Sequence, residues 1–215
     1  MMANKYSTEG LIEAEYEPRG KVLKNKLGIR IKKKIEKIEA EAFSKIQANY
    51  WRIFSEDSTP EITADLIKEI HRMWLSPIYD WAGEYRKVKI SKGDCIFCFP
   101  LHIPSQMKKL EKTLKKYTPL KKGCDLKTLA ESIARVHGEF EIIHPFREGN
   151  GRVGRLIADL MALQAGYPPL NFERLKTRYL HAMEKICLED DFGPLNEVIK
   201  KAIATGIRRA REASS

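Results

Sequence analysis

Residues 144–155, His144-Pro-Phe-Arg-Glu-Gly-Asn-Gly-Arg-Val-Gly-Arg155, constrain this chain more than any other stretch. They place a base, a carboxylate, a glycine-flanked amide and two arginines in one short span. The apolar positions Leu156, Ile157, Leu160, Met161 and Leu163 follow at once with helical spacing. The polar span is therefore expected to be a loop that opens a helix. A helix start offers unpaired N–H groups and a positive dipole end, so it accepts anions. Gly149 and Gly151 flank Asn150 and let the backbone approach a phosphate closely. Arg152 and Arg155 project from one side of the first turn, where they suit phosphates further along a chain. Glu148 suits a magnesium ion shared with those phosphates. His144 is the group in the span that takes up a proton near neutral pH. Singly, each residue has an ordinary role: a structural histidine, a common Gly-Asn-Gly loop, solvated arginines, a core-filling Phe146. As a set, they describe a site that binds a nucleotide with magnesium and moves a phosphorus-containing group.

At every fixed position the span resembles the signature of the Fic domain family, H-x-F-x-(D/E)-G-N-G-R-x-x-R. The resemblance implies an all-α, Fic-type helical bundle with a small β-hairpin flap over the active site. It also implies transfer of AMP from ATP to a Ser, Thr or Tyr hydroxyl of a target protein. By resemblance His144 is the general base and Glu148 holds Mg2+. Gly149, Asn150 and Gly151 cradle the α- and β-phosphates. Arg152 holds the β-phosphate region and Arg155 the γ-phosphate. Doc-type kinase relatives alter the glycine after the acidic residue, and here Gly149 is intact, which favours AMP transfer. Transfer of UMP, phosphocholine or phosphate, and a non-catalytic basic interaction module, stand as alternatives.

Residues 85–99 form the one β-like stretch, with Tyr85–Ser91 and Cys95–Phe99 flanking the turn signal Lys92-Gly93-Asp94. By resemblance this is the flap on which a target protein docks by strand addition, with Lys92 and Gly93 near the nucleotide. Many Fic proteins carry an inhibitory (S/T)-x-x-x-E-(G/N) helix whose glutamate pairs with the second motif arginine. Here Glu9-Gly10 is the candidate outside the signature, and Lys5 stands where Ser or Thr belongs. Either a separate antitoxin supplies a glutamate to Arg155, or Glu9 does so in another register.

The remaining periodicity is helical. Apolar positions 31, 35, 38, 42, 43, 46, 50 and 53 mark a long amphipathic helix from Ile31. Thr59-Pro60-Glu61 reads as a helix start, leading through Ile62, Leu66, Ile67, Ile70 and Trp74 to a stop at Ser76-Pro77. Helices are expected over Pro104–Tyr117, with Met107, Leu110 and Leu114 on one face, and after the cap Asp125, with Leu126, Leu129, Ile133 and Val136 inward. His137 is expected to be a core or rim histidine. Gly166-Tyr-Pro-Pro169 closes the signature helix, and two more helices follow near 171–187 and 194–210. The chain divides into an arm over 1–30 that wraps the domain, a Fic domain over 31–210 and a tail over 211–215.

Composition narrows the class. Of the 215 residues, 43% are hydrophobic and 32% charged, as in an ordinary soluble domain. No run of about 18 apolar residues exists, so no membrane span is expected. No basic segment leads into an apolar core at the start, so a cytoplasmic location is expected, with secretion by a specialised system left open. The net charge of +10 is spread through lysine-rich helices and suits ATP or an acidic partner; no aromatic-interleaved basic strand marks a nucleic-acid binder. Cys95 and Cys98 lack the companions of a zinc site and read as inert thiols.

Overall fold

The computed structural model describes residues 7–9, 16–17, 22–57 and 60–213. Among them are helices α1 (Lys32–Glu56), α2 (Ala64–Leu75), α3 (Ile103–Tyr117), α4 (Leu126–Ile143), α5 (Asn150–Gln164), α6 (Lys176–Glu189) and α7 (Gly193–Ala213). Strands β1 (Ser7–Glu9), β2 (Lys89–Lys92) and β3 (Cys95–Ile96) form one antiparallel sheet in that order. The fold is thus the expected all-α bundle with a small flap. Lys5, invoked for the inhibitory motif, lies outside the described residues.

α4 and α5 occupy the centre. α4 packs against α3, α5, α6 and α7, while α5 packs against α1, α2 and α4. Val153, Leu156, Ile157, Leu160 and Met161 of α5 are all buried. Full burial of such a side chain is worth roughly 1.5–3 kcal/mol, so the helix that the signature opens is firmly held by the core. Gly154 lets α4 come close: a Cβ there would stand 2.5 Å from Glu141 Oε1.

Several boundaries differ from the expected ones. α1 begins at Lys32, and Ile31 is its N-cap at 65% exposure. α2 begins after Thr63, whose hydroxyl accepts the Leu66 N–H at 3.0 Å, and not at Pro60. The Pro60 carbonyl instead accepts from Gln164 Nε2 at 2.7 Å, which ties the incoming strand of chain to the end of α5. Leu126 is 46% exposed rather than inward. α6 starts five residues late because 171–175 is spent on a turn: Asn171 Oδ1 accepts the Glu173 N–H, and Arg174 takes φ 61°. The Asp125 cap is as expected, accepting from Lys127 and Thr128 N–H.

The flap ladder is shorter than expected: β2 begins only at Lys89 and β3 ends at Ile96, with Arg86 between the expected start and the observed one. That buried guanidinium donates to the carbonyls of His144, Val88 and Cys98, so the chain on either side is pinned by a side chain and not by a ladder. The flap also has a third strand. β1 pairs with β2 in the register Ser7↔Ser91, Thr8↔Ile90 and Glu9↔Lys89. Cys95 is not a free thiol: it is disulfide-bonded to Cys187 of α6, 92 residues away, while Cys98 and Cys124 remain free.

Candidate active site

The site begins where α4 stops. His144 is the C-cap of α4 in the left-handed region, φ 48°, with its own N–H bonded to the Phe140 carbonyl. This turns the imidazole away from the helix axis while keeping it 97% buried, since its exposure is 3%. The ring is stacked on Phe97 of the flap, centroids 4.0 Å apart. Its Nδ1 lies 3.2 Å from the Glu141 carbonyl oxygen and 3.6 Å from the Glu141 carboxylate. A carbonyl only accepts, so Nδ1 carries the hydrogen and the lone pair belongs to Nε2. The tautomer is that of a proton acceptor. Arg86 Nε holds the His144 carbonyl at 2.8 Å. Burial lowers the Arg86 pKa to about 10, which leaves it a cation at neutral pH.

The loop between α4 and α5 is closed by its own asparagine. Asn150 Oδ1 accepts the Phe146 N–H at 2.8 Å and Nδ2 donates to the Phe146 carbonyl at 2.7 Å. Phe146, fully buried, stacks on His71 of α2 at 3.8 Å. His71 Nδ1 accepts the Gly83 N–H at 2.8 Å, so its Nε2 carries the hydrogen and donates to the Glu148 carbonyl at 3.1 Å. Burial drives the His71 pKa down to about 4, so it serves as a neutral strut. Gly149, the N-cap of α5, has φ 90°, and a Cβ there would stand 2.6 Å from Trp74 Cζ3. No other residue fits that position.

A cavity of about 730 Å³ opens over the start of α5. Its floor includes His144, Gly149, Gly151, Arg152 and Arg155. The flap contributes Lys92, Gly93 and Phe97, and α6 contributes Lys176, Tyr179 and Met183. The size suits a nucleotide. Cationic side chains and the N-terminus of α5 face it together, while Glu36, Asp94, Glu141 and Glu184 also reach its wall. The disulfide ties the two walls, flap and α6, to each other.

The structure thus brings together seven expected residues: His144, Gly149, Gly151, Arg152, Arg155, Lys92 and Gly93. Asn150 is fully buried behind the floor, with its side chain spent on the loop. Glu148 is half-buried, and its carboxylate accepts the Gly149 N–H at 3.1 Å. His137 is a core histidine as expected: Nδ1 donates to the Gly154 carbonyl and Nε2 accepts from Tyr179 OH at 2.8 Å. Burial lowers its pKa to about 4. The sequence reading missed Glu39, His71, Trp74 and Arg86 as supports of the site. Glu39 and His71 had a signal, because each is a polar residue on the inward stripe of an amphipathic helix. Arg86 had none.

Similar proteins point the same way. A sequence model of the Fic/DOC family matches residues 61–162. The protein adenylyltransferase VbhT of Bartonella schoenbuchensis is 28% identical over 185 residues, which are 86% of this chain and 37% of that protein. The probable protein adenylyltransferase Fic of Escherichia coli is 34% identical over 101 residues, 47% of this chain and 50% of that protein. The chain therefore spans half or less of the length of these two relatives. The crystal structure of the BepC protein of Bartonella tribocorum, with bound AMPPNP, superposes with a TM-score of 0.72 at 25% identity, covering 87% of this chain and 95% of that one.

Proposed function

The chain belongs to the Fic/DOC family, and on that premise we propose that it moves the AMP moiety of ATP onto a hydroxyl side chain of a protein target. The observation that carries this reading is the imidazole of His144, held as the Nδ1–H tautomer at the edge of a cavity floored by a helix N-terminus and two arginines. The bound AMPPNP of BepC supports an ATP-type donor. The N–H groups of Asn150 and Gly151 cradle the α- and β-phosphates; Asn150 acts here through its backbone, since its side chain closes the loop. Arg152 holds the β-phosphate region and Arg155 the γ-phosphate.

The target hydroxyl oxygen attacks the α-phosphorus, its proton passes to His144 Nε2, and the bond from the α-phosphorus to the oxygen bridging to the β-phosphate breaks. Pyrophosphate leaves, and a phosphodiester to AMP remains on the target. The chain contributes mainly position and fixed charge. Magnesium would be held here as an ion shared with the phosphates, with Glu148 as its ligand from the chain. Among the described residues no group of three or more His, Cys, Asp or Glu could cage a metal. Glu148 offers one carboxylate beside the phosphate cradle, the mode of binding usual for this ion. Once bound, magnesium supplies neutralisation of phosphate charge.

The target docks on the flap. β2 already carries β1 on its outer edge, so an incoming segment adds along β3 or follows withdrawal of β1. Exposed Ile96 of β3 and exposed Phe99 just after it favour an extended segment with apolar residues. A separate antitoxin that offers a glutamate to Arg155 would compete with the γ-phosphate. No helix among the described residues is long and apolar enough to cross a membrane.

The test is incubation of the purified chain with Mg2+ and α-labelled ATP in a cell lysate, with His144→Ala and γ-labelled ATP alongside. Label from the α-position alone, lost by about 10²–10⁴-fold in His144→Ala, is expected. Label from the γ-position alone would replace AMP transfer by phosphate transfer, and equal labelling by wild type and His144→Ala would remove His144 as the base.

A further inference from the structure

Arg152 does not stand in the cavity wall unaided. Its Nη2 donates to Glu39 Oε2 at 2.7 Å, across 113 residues of sequence. Its guanidinium carbon lies 4.3 Å from the centre of the Trp74 ring. Glu39 Oε1 accepts the Tyr79 hydroxyl at 2.7 Å, and the Glu39 carbonyl accepts the Trp74 indole N–H at 2.9 Å. One residue of α1 therefore fixes both things that hold the guanidinium: the carboxylate that takes its edge and the ring that lies against its face. Glu39 is itself 5% exposed.

A carboxylate in that place needs a reason. It sits on the inward stripe of α1 among Ile35, Ile38, Ala42 and Phe43, where an apolar residue would fill the same volume. Burying an ion pair seldom gains stability over well-packed apolar side chains. An arginine on a cavity wall, by contrast, is useful only if its long side chain is stopped from swinging away. A guanidinium offers five N–H donors in a fixed plane, so engaging one edge and one face still leaves donors for an anion.

We propose that Glu39 is a positioning residue for the nucleotide polyphosphate. It orients Arg152 without touching the substrate, and Tyr79 in turn orients the Glu39 carboxylate. The inference rests on the reading of the cavity as a nucleotide site. It separates Glu39 from an ordinary core residue, because its effect must pass through Arg152 and be felt only by ligands that reach Arg152.

The experiment measures binding of Mg·AMPPNP and of AMP to the full chain by titration calorimetry, with thermal unfolding of each variant. The variants are Glu39→Ala, Glu39→Gln, Arg152→Ala and the double variant Glu39→Ala/Arg152→Ala. Glu39→Ala is expected to weaken AMPPNP by about tenfold or more, as loss of a charged hydrogen bond does. AMP, which lacks the outer phosphates, is expected to change less than about twofold by the same reasoning. Glu39→Gln keeps shape and a hydrogen bond, so it folds and loses less. The double variant is expected to bind AMPPNP no worse than Arg152→Ala. Equal weakening of AMP and AMPPNP would make Glu39 merely structural. Additive losses in the double variant would detach it from Arg152. Tighter AMPPNP binding in Glu39→Ala would mean that Glu39 competes with phosphate. A wild-type chain that binds neither ligand would overturn the nucleotide site itself, and that result is distinct from all of these.

Discussion

Gly149→Ala asks how much of the site depends on one missing methyl group. The position has φ 90°, where an L residue costs about 1–2 kcal/mol relative to glycine. The added Cβ would also stand 2.6 Å from Trp74 Cζ3 and 3.0 Å from Cη2. The ring cannot easily give way, because it is fully buried and its indole N–H is bonded to the Glu39 carbonyl. Overpacking of this kind adds about 1–3 kcal/mol. Together the two terms predict a loss of about 2–5 kcal/mol, which for a chain of this size lowers Tm by about 4–20 °C. Movement of Trp74 also takes away the face on which Arg152 lies, so AMPPNP affinity should fall along with Tm. Scanning calorimetry and ligand titration on the same samples measure both. A Gly149→Ala protein with wild-type Tm would refute the packing argument. One with lowered Tm and unchanged AMPPNP affinity would refute the link from Gly149 through Trp74 to Arg152.

Other outcomes follow from buried titrating groups and from the flap. His71 and His137 have pKa values near 4, so the unfolded chain binds two protons below about pH 6.5 that the folded chain refuses, and stability falls as pH drops from there toward 4. Asp159 runs the other way: burial raises its pKa to about 7, so its contribution is full below about pH 4 and is lost as pH rises to 7. Asp159→Asn should therefore steepen the rise of unfolding free energy between pH 4.5 and 6 by about one proton, ~1.4 kcal/mol per pH unit, measured by urea titration; an unchanged slope would refute it. Cys187→Ser releases β3 from α6, so it should cost about 2–4 kcal/mol and speed amide exchange over 94–97, and a variant that matches the oxidised wild type in both would show that the cross-link does not restrain the flap.

The helices were legible because burial imposes a period, and the seven found lie close to the apolar stripes read from the residues. What shifted were ends, where one side chain outweighs a pattern. Thr63 caps α2 with a hydroxyl, and the proline that looked like a start instead lends its carbonyl to Gln164. The flap shrank for the same kind of reason, because Arg86 takes the Val88 and Cys98 carbonyls, two that a longer ladder would have used. β1 was not legible at all. A three-residue strand has no room for a period, and its partner lies some eighty residues away.

The candidate site residues were legible because they are consecutive; their supports were not, because each reaches the loop from a distant part of the chain. Arg152 meets Glu39 across 113 residues, Glu148 meets His71 across 77, and His144 meets Arg86 across 58. Periodicity says that a residue faces inward, and it says nothing about which residue it will meet. Yet a polar side chain on an inward stripe already states a requirement, since burial without a partner is costly. Glu39, His71, His137 and Asp159 all stand on such stripes, and all have found partners in the signature, in α5 or in the residues beside them. Polar residues on the buried faces of α1, α2 and α4 are therefore where a reader of the sequence alone should look for the frame that holds His144 to Arg155 in place. Glu39 stands out among them, because its partner is a cation that the cavity also needs.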